Sequence, residues 1–158
     1  MQRYRLEKII VSTGTGKLRQ NAQFEEKILP EILTSMAIIT GQHPAKKGAK
    51  KSIATFKTRT GDVVGVMVTL RGTKMKDFLN RLVHTALPRV RDFRGISIKN
   101  FDDRGNLNIG IKECVVFPEI NPEKIYSNFG VQITLVANTK KKEDGIQLFR
   151  ELGLPIQK

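Results

Sequence analysis

The chain has 158 residues, of which 39% are hydrophobic and 27% are charged, and its formal net charge is +13. This length and this balance are typical of a folded globular protein rather than a disordered chain, so we expect one domain spanning residues 1–158. The longest apolar runs fall far short of the roughly 20 residues that a membrane span needs, and the N-terminus is charged where a signal peptide would be apolar.

The first predicted elements are a strand and a helix. Residues 6–12 are β-branched and apolar and run into a glycine turn, which predicts a strand. A helical stripe then recurs every three or four residues and stops at Gly41; its members are Phe24, Ile28, Ile32, Met36 and Ile39. Pro30 falls inside this stripe and predicts a kink or a restart, because proline removes a ladder hydrogen bond. Residues 43–60 read as an extended loop that leads into a strand at 53–57.

The second half alternates strands with helices. Residues 63–70 predict a strand, and an apolar stripe from Met75 to Ala86 predicts a helix that begins near Arg71-Gly72-Thr73 and ends at Pro88. Strands are predicted over 96–101 and 107–116, around a turn at 102–106, and over 131–137. Asn121-Pro122 predicts a short helix, and residues 143–152 predict a last helix ended by Gly153. The pattern predicts an α+β domain with helices packed on one face of a largely antiparallel sheet.

The positive charge is concentrated in the first two-thirds of the chain. Residues 102–158 hold eight basic and eight acidic residues, so the whole excess of +13 lies before them. A one-sided positive field attracts a polyanion, because neutralised phosphates release their condensed counterions. We therefore predict a nucleic acid as the partner. A membrane surface is disfavoured because no basic segment has a strong apolar face.

Nothing in the sequence predicts a catalytic, metal or cofactor site. The only histidines, His43 and His84, have no cysteine or carboxylate cluster at metal-ligand spacing, and Cys114 stands among apolar residues like an inert buried thiol. The glycines after the first strand lack the spacing of a phosphate-binding loop. We expect a binding protein and not an enzyme. The alternatives among nucleic-acid-binding proteins are a general RNA-binding protein, an RNA-processing protein, which would need positioned acids, and a DNA-binding regulator, which would need a helix-turn-helix.

Several separated motifs resemble one family, the bacterial-type large-subunit ribosomal protein five, from about Arg3 to the C-terminus. The motifs are Gly-Gln-His-Pro at 41–44, Val-Thr-Leu-Arg-Gly at 68–72, Pro-Arg-Val-Arg-Asp-Phe-Arg-Gly at 88–95, Phe-Asp-Asp-Arg-Gly-Asn at 101–106 and Phe-Pro-Glu-Ile at 117–120. The resemblance implies an RNA-recognition-like sandwich in the central protuberance of the large ribosomal subunit, bound to 5S rRNA and 23S rRNA. It also implies, as neighbours, other ribosomal proteins of the protuberance and the small-subunit head.

The resemblance also implies which residues contact rRNA. Family positions that contact RNA correspond to Gln42, Thr69 and Ser12, where Ser12 replaces the usual asparagine and loses an amide donor. Short polar side chains and cations suit a folded RNA, whose duplexes hide their base edges. The cations expected beside them are Lys8, Arg71, Arg91 and Arg94.

A cationic loop is expected to reach a second RNA. The resemblance implies that residues 44–52 extend toward transfer RNA in the peptidyl site, and this stretch holds four lysines and no acid: Lys46, Lys47, Lys50 and Lys51. We predict a flexible finger there. The N-terminal helical extension usual in bacterial members is missing, so the expected location is either a cytoplasmic or an organellar ribosome.

Overall fold

A five-stranded sheet organises the chain in the computed structural model, which describes residues 3–158. Its strands are β1 (Leu6–Gly14), β2 (Ala45–Gly48), β3 (Val63–Leu70), β4 (Leu107–Ile111) and β5 (Val131–Ala137). Their order across the sheet is β2-β3-β1-β5-β4, so β1 is central and β2 and β4 are the edges. Every neighbouring pair is antiparallel. The predicted α+β class with an antiparallel sheet is confirmed.

The helices begin close to the predicted signals, and the one predicted to end at Pro88 changes at Leu82–Ala86 from an α-helix to a π-helical turn. They are α1 (Leu29–Thr40), α2 (Gly72–Arg81) and α3 (Lys142–Glu151). A π-helical turn, Phe24–Ile28, precedes α1, and Pro30 lies in the first turn of α1, where its missing N–H needs no partner in the helix. The predicted restart near Pro30 is therefore confirmed. Gly41 ends α1 in the left-handed conformation, with φ 74°, that glycine adopts most easily.

The core lies on one face of the sheet. In β1, Ile9 and Val11 are fully buried, whereas Ile10 and Ser12, which alternate with them, are only half-buried. The predicted apolar stripe of the first helix is buried against this face, and Phe101 meets Phe149 of α3 with 5.8 Å between the ring centroids. Since the buried strand residues all share one parity, the three helices cover one face and leave the opposite face without a helix.

The segment after α1 differs from the prediction. The strand in it is β2, which pairs with β3, and not residues 53–57, where Ala54–Phe56 form a 3-10 turn at the tip of a hairpin. Lys46 and Lys47 therefore lie on an edge strand rather than on a flexible loop. Residues 53–57 have β-prone side chains, but the chain reverses there, with Ile53 and Thr58 exchanging both backbone hydrogen bonds.

Three further predictions differ from the structure: the strand at 96–101 is wrong, the strand at 107–116 is shorter, and the helix at Asn121 is reduced to a turn. Residues 96–101 form no strand of the sheet: the Ser97 hydroxyl accepts the Lys99 N–H at 3.2 Å and holds a 3-10 turn. β4 ends at Ile111 because the chain turns again at Cys114–Val116. The helix predicted at Asn121 is a single turn. The Glu31 carboxylate accepts the backbone N–H groups of Tyr126 and Ser127, which ties the segment to α1 instead.

The turn between residues 102 and 106 packs against α3. The Asp102 carboxylate accepts hydrogen bonds from the backbone N–H groups of Arg104 and Asn106 and from the Asn106 side chain. Partial burial is the largest single influence and would raise the pKa of Asp102, but the hydrogen bonds together hold that pKa below its ordinary value. Gly105, with φ 84°, touches Gly145 of α3 backbone to backbone. The predicted turn is confirmed, and its contact with α3 is a tertiary feature.

Candidate nucleic-acid interface

The helix-free face of the sheet, here called the open face, is built by alternate residues of the strands. Directly opposite residues in an antiparallel pair point to the same side. Ile10 lies opposite both Thr69 and Thr134, and Ser12 lies opposite both Met67 and Gln132. The register therefore brings Ser12 and Thr69, two of the predicted contact residues, to one surface as diagonal neighbours across β1 and β3.

The open face mixes short polar side chains and lysines with apolar residues and glycines, and its paired residues include no acid. Its residues are Lys8, Ile10 and Ser12 of β1, Gly65, Met67 and Thr69 of β3, Gln132, Thr134 and Val136 of β5, Asn108 and Gly110 of β4, and Ala45 and Lys47 of β2. All of them are half-buried or exposed, and none carries a carboxylate. Hydroxyls, amides and methylenes of this kind can contact riboses and phosphates without repelling them.

Gln42 is fixed at the rim of this face. The left-handed turn at Gly41 redirects the chain after α1, and the Gln42 side-chain Nε2 then donates to the backbone carbonyl of Thr69 at 3.0 Å. The Thr40 hydroxyl in turn donates to the carbonyls of Met36 and Gln42. Gln42 and Thr69 are thus held as one unit, although 27 residues separate them.

Two of the predicted cations lie at one end of the open face. Lys8 and Arg71 line a shallow cleft of about 410 Å³ with Arg5 and the start of α2, and Glu7 is the one acid among its three cations. Arg71 is the residue before α2 and is exposed, because β3 ends at Leu70 and the chain turns there into the helix. The structure brings Lys8, Ser12, Gln42, Thr69 and Arg71 together along β1 and β3.

Arg91 and Arg94 lie apart from that group. Both are exposed in the segment after α2, and Arg91 lines a cleft with Lys112 beside the edge strand β4. The Arg94 carbonyl accepts a hydrogen bond from the Gln157 side chain at 3.2 Å, which ties this segment to the C-terminus. Asp92 and Glu113 line the same cleft and balance the charges of Arg91 and Lys112, so this edge of the sheet is mixed in charge rather than basic.

The four lysines lie at the β2 edge and beyond it. Lys47 pairs with Gly65 and belongs to the open face, whereas Lys46 pairs with Val66 and has the opposite parity. Lys50 and Lys51 follow β2 and are exposed. Lysines on an edge strand also prevent that strand from pairing with another sheet, and this role needs no RNA.

Sequence reasoning missed the part of the open face contributed by β4 and β5. Gln132 and Thr134 alternate with buried residues along β5, and the Thr134 hydroxyl is 2.8 Å from the Asn108 side-chain oxygen. The polar alternation was visible in the sequence. What could not be read from it was that β5 pairs with β1, which carries these residues to the same surface as Ser12.

Neither a metal site nor a membrane-spanning helix is formed by residues 3–158. Within that range, no three histidine, cysteine, aspartate or glutamate side chains lie close enough together to hold a metal ion. The helices described there are too short or too polar to span a bilayer. The Cys114 thiol is buried and donates to the Asn128 side-chain oxygen at 3.2 Å, and this burial raises the pKa of Cys114.

Two family models match the chain. The model described as ribosomal protein L5 matches residues 1–59, and a second model, which describes the C-terminus of the same ribosomal protein family, matches residues 63–156. The first segment supplies β1 and β2, and the second supplies β3, β4 and β5.

Curated relatives match nearly the whole chain. A large ribosomal subunit protein uL5 from Anaeromyxobacter sp. (strain K) is 47% identical over 157 residues, which cover 99% of this chain and 85% of the relative. One from Leptospira biflexa serovar Patoc is 48% identical and covers 96% of this chain and 80% of the relative. The protein uL5c of Paulinella chromatophora is 49% identical, over 95% and 82% of the two chains.

Proposed function

Since the chain belongs to the ribosomal protein L5 family and is therefore a structural constituent of the large ribosomal subunit rather than an enzyme, we propose that its open face binds 5S rRNA. Membership implies ribosomal RNA and ribosomal proteins as partners and a place in the ribosome. The choice of 5S rRNA, with 23S rRNA as a second contact, rests on the motifs at 41–44 and 68–72 together with their position in the fold.

The observation that carries this proposal is the acid-free open face with Gln42 anchored at its rim. Ser12 and Thr69 present hydroxyls from adjacent strands, and Lys8 and Arg71 add positive charge at one end. An RNA duplex exposes 2′-hydroxyls and phosphates in its wide, shallow minor groove, where short polar side chains can reach them. Arg91 and Arg94 would contact the flanking rRNA around the β4 edge.

We expect the affinity for 5S rRNA to fall steeply as salt rises, because several cations would each neutralise a phosphate. Measured as the slope of log K against log salt, Lys8→Gln with Arg71→Gln should flatten the dependence by about one to two units. The matched control is Lys124→Gln, which removes an exposed cation from the segment after Phe117. A wild-type slope near zero would contradict the electrostatic part of the proposal.

A second contact is proposed for the β2 edge, with transfer RNA in the peptidyl site. Its support is the cluster of exposed lysines, of which Lys46 and Lys47 lie on the edge strand β2 and Lys50 and Lys51 lie just beyond it. Lysines are mobile point charges, and they can hold a phosphate backbone without reading its sequence. The protein would then accept every tRNA in turn.

Replacing these four lysines with glutamine should lower the affinity of assembled ribosomes for peptidyl-site tRNA by about tenfold, because the lost contacts are to phosphates. Binding of the isolated chain to 5S rRNA should fall much less, because Lys47 is the only one of the four lysines that belongs to the open face. The measurement is tRNA binding to ribosomes that carry the variant, beside 5S rRNA binding by the free variant. The opposite pattern, lost 5S rRNA binding with normal tRNA binding, would show that the lysines contact 5S rRNA and not tRNA.

We also propose that residues 1–158 form one domain. The two segments matched by the family models contribute strands to the same sheet, and β1 of the first pairs with β3 and β5 of the second. Neither segment could complete the sheet without the other. The protuberance proteins and the small-subunit head remain the proposed neighbours within the ribosome.

A further inference from the structure

A cleft of about 800 Å³ lies at the end of the sheet, between the start of β3 and the hairpin tip at residues 53–58. Phe56 and Ile53 line it, and their side chains are 68% and 46% exposed. Phe56 is the one phenylalanine of eight that is neither buried nor half-buried. An aromatic ring exposed to water lacks the burial that stabilises the other seven phenylalanines. The exposure of Phe56 therefore indicates a binding surface.

The backbone holds Phe56 in this exposed position. Ile53 and Thr58 exchange backbone hydrogen bonds of 2.9 and 3.1 Å, and the Lys57 N–H donates to Ala54 at 3.1 Å. The Ser52 hydroxyl accepts the Thr60 N–H at the base of the hairpin. Lys57 takes the left-handed conformation, with φ 51° and ψ 36°, which is unfavourable for a residue with a side chain. The turn is therefore maintained against local strain.

The rim of the cleft is positively charged. Lys17, Lys50 and Lys51 line it with Gln20, and no acidic side chain lines it among the residues described. The nearest acid along the hairpin, Asp62, is already paired with Arg19 and accepts the Arg59 N–H. An apolar floor with a purely cationic rim complements a nucleotide, in which a flat base carries a phosphate on either side.

The cleft opens on a different side from the open face. Val64, which lines it, shares the parity of the buried Val66 and Val68, whereas the open face uses Gly65, Met67 and Thr69. An RNA lying on the open face would therefore not occupy the cleft, and a second RNA could approach it past the β2 edge. The lysines at 50 and 51 belong both to the cleft and to the proposed tRNA contact.

We propose that an unpaired base of the tRNA bound in the peptidyl site stacks on Phe56, while Lys17, Lys50 and Lys51 hold the flanking phosphates. This inference rests on the proposed tRNA contact and adds to it a base-stacking residue. Stacking tolerates any base, because each has a π-face, and so it suits a contact that must serve every tRNA.

The test is tRNA binding to the peptidyl site of ribosomes assembled with Phe56 variants. We expect Phe56→Ala to weaken binding by about 5- to 100-fold, as loss of one stacked base does. Phe56→Tyr should bind within about twofold of wild type, since the ring remains. Phe56→Leu, which keeps an apolar side chain without a ring, should behave like Phe56→Ala. Thermal unfolding of each free variant checks that the fold is retained.

Different results would separate this inference from the proposed function. If the lysine variant weakened tRNA binding but Phe56→Ala did not, the stacking would be wrong and the tRNA contact would stand. If neither variant changed tRNA binding, the contact itself would be wrong. Full tRNA binding by Phe56→Leu would show that the contact is apolar packing and not stacking. A loss of 5S rRNA binding by Phe56→Ala would show that ribosomal RNA occupies the cleft. Either result would overturn the inference.

Discussion

Thr69→Glu is expected to weaken 5S rRNA binding by at least about a hundredfold, or roughly 3 kcal/mol. Thr69 lies on the open face between Ile10 and the Gln42 amide, with no acid among its strand neighbours there. A carboxylate at this point would face RNA phosphates across a contact from which water is excluded, where like charges repel strongly. Filter binding at fixed salt measures the loss.

The matched control is Thr34→Glu, which makes the same change on the exposed side of α1, away from the open face. It should bind 5S rRNA close to wild type. Thr69→Gln adds similar bulk without charge and should fall between the two. Because glutamate also suits strands less well than threonine, thermal unfolding must show that Thr69→Glu remains folded. Normal binding by a folded Thr69→Glu would remove the open face from the 5S rRNA interface.

Gly145→Ala is expected to destabilise the fold by about 3 kcal/mol or more, the cost of forcing atoms into a filled space. In most helix interiors the same change is favourable, because alanine is a better helix former than glycine. In α3, however, a Cβ on residue 145 would overlap the Cα and the carbonyl group of Gly105. Backbone atoms cannot move aside like a flexible side chain, so the turn or the helix must shift. Urea unfolding measures the difference.

Gly110→Ala provides the control for this effect. A Cβ there meets nothing within 4 Å, and Gly110 lies in β4 with an exposed backbone position. The free energy of unfolding of Gly110→Ala should stay within about 1 kcal/mol of wild type, or rise, because glycine weakens a strand interior. If Gly145→Ala were as stable as Gly110→Ala, the close approach of α3 to the turn at 102–106 would be wrong.

Sequence patterns succeeded where a single element carries its own signal. The apolar stripe from Phe24 to Ile39 repeats every three or four residues, and it is buried by α1 together with the turn that precedes Pro30. The strands at 63–70 and 131–137 are apolar at alternate positions and bounded by turn residues, and both are confirmed. In each case the periodicity is set by the geometry of one helix or strand, which the local sequence determines.

The predictions failed where a partner distant in sequence decides the conformation. Residues 53–57 and 96–101 have strand-like composition, yet no strand of the sheet is available to them, and they close into turns held by Thr58 and Ser97. Asn121-Pro122 carries a helix start, but Glu31 of α1 binds the following N–H groups instead. Short apolar segments have no single preferred structure, so tertiary hydrogen bonds decide between the options.

The features of the candidate site also separate into those that the sequence determines and those that tertiary pairing decides. The sequence by itself determined the excess of positive charge, the family and the identity of Gln42, Thr69 and Ser12, because motifs and charges are properties of residues. Only the tertiary structure decided that Ser12 and Thr69 share a surface with Gln132 and Thr134, that Lys46 and Lys47 lie on an edge strand, and that Phe56 lines a cationic cleft. Strand order and register bring these residues together, and both arise from pairing across long stretches of chain, which no local pattern encodes.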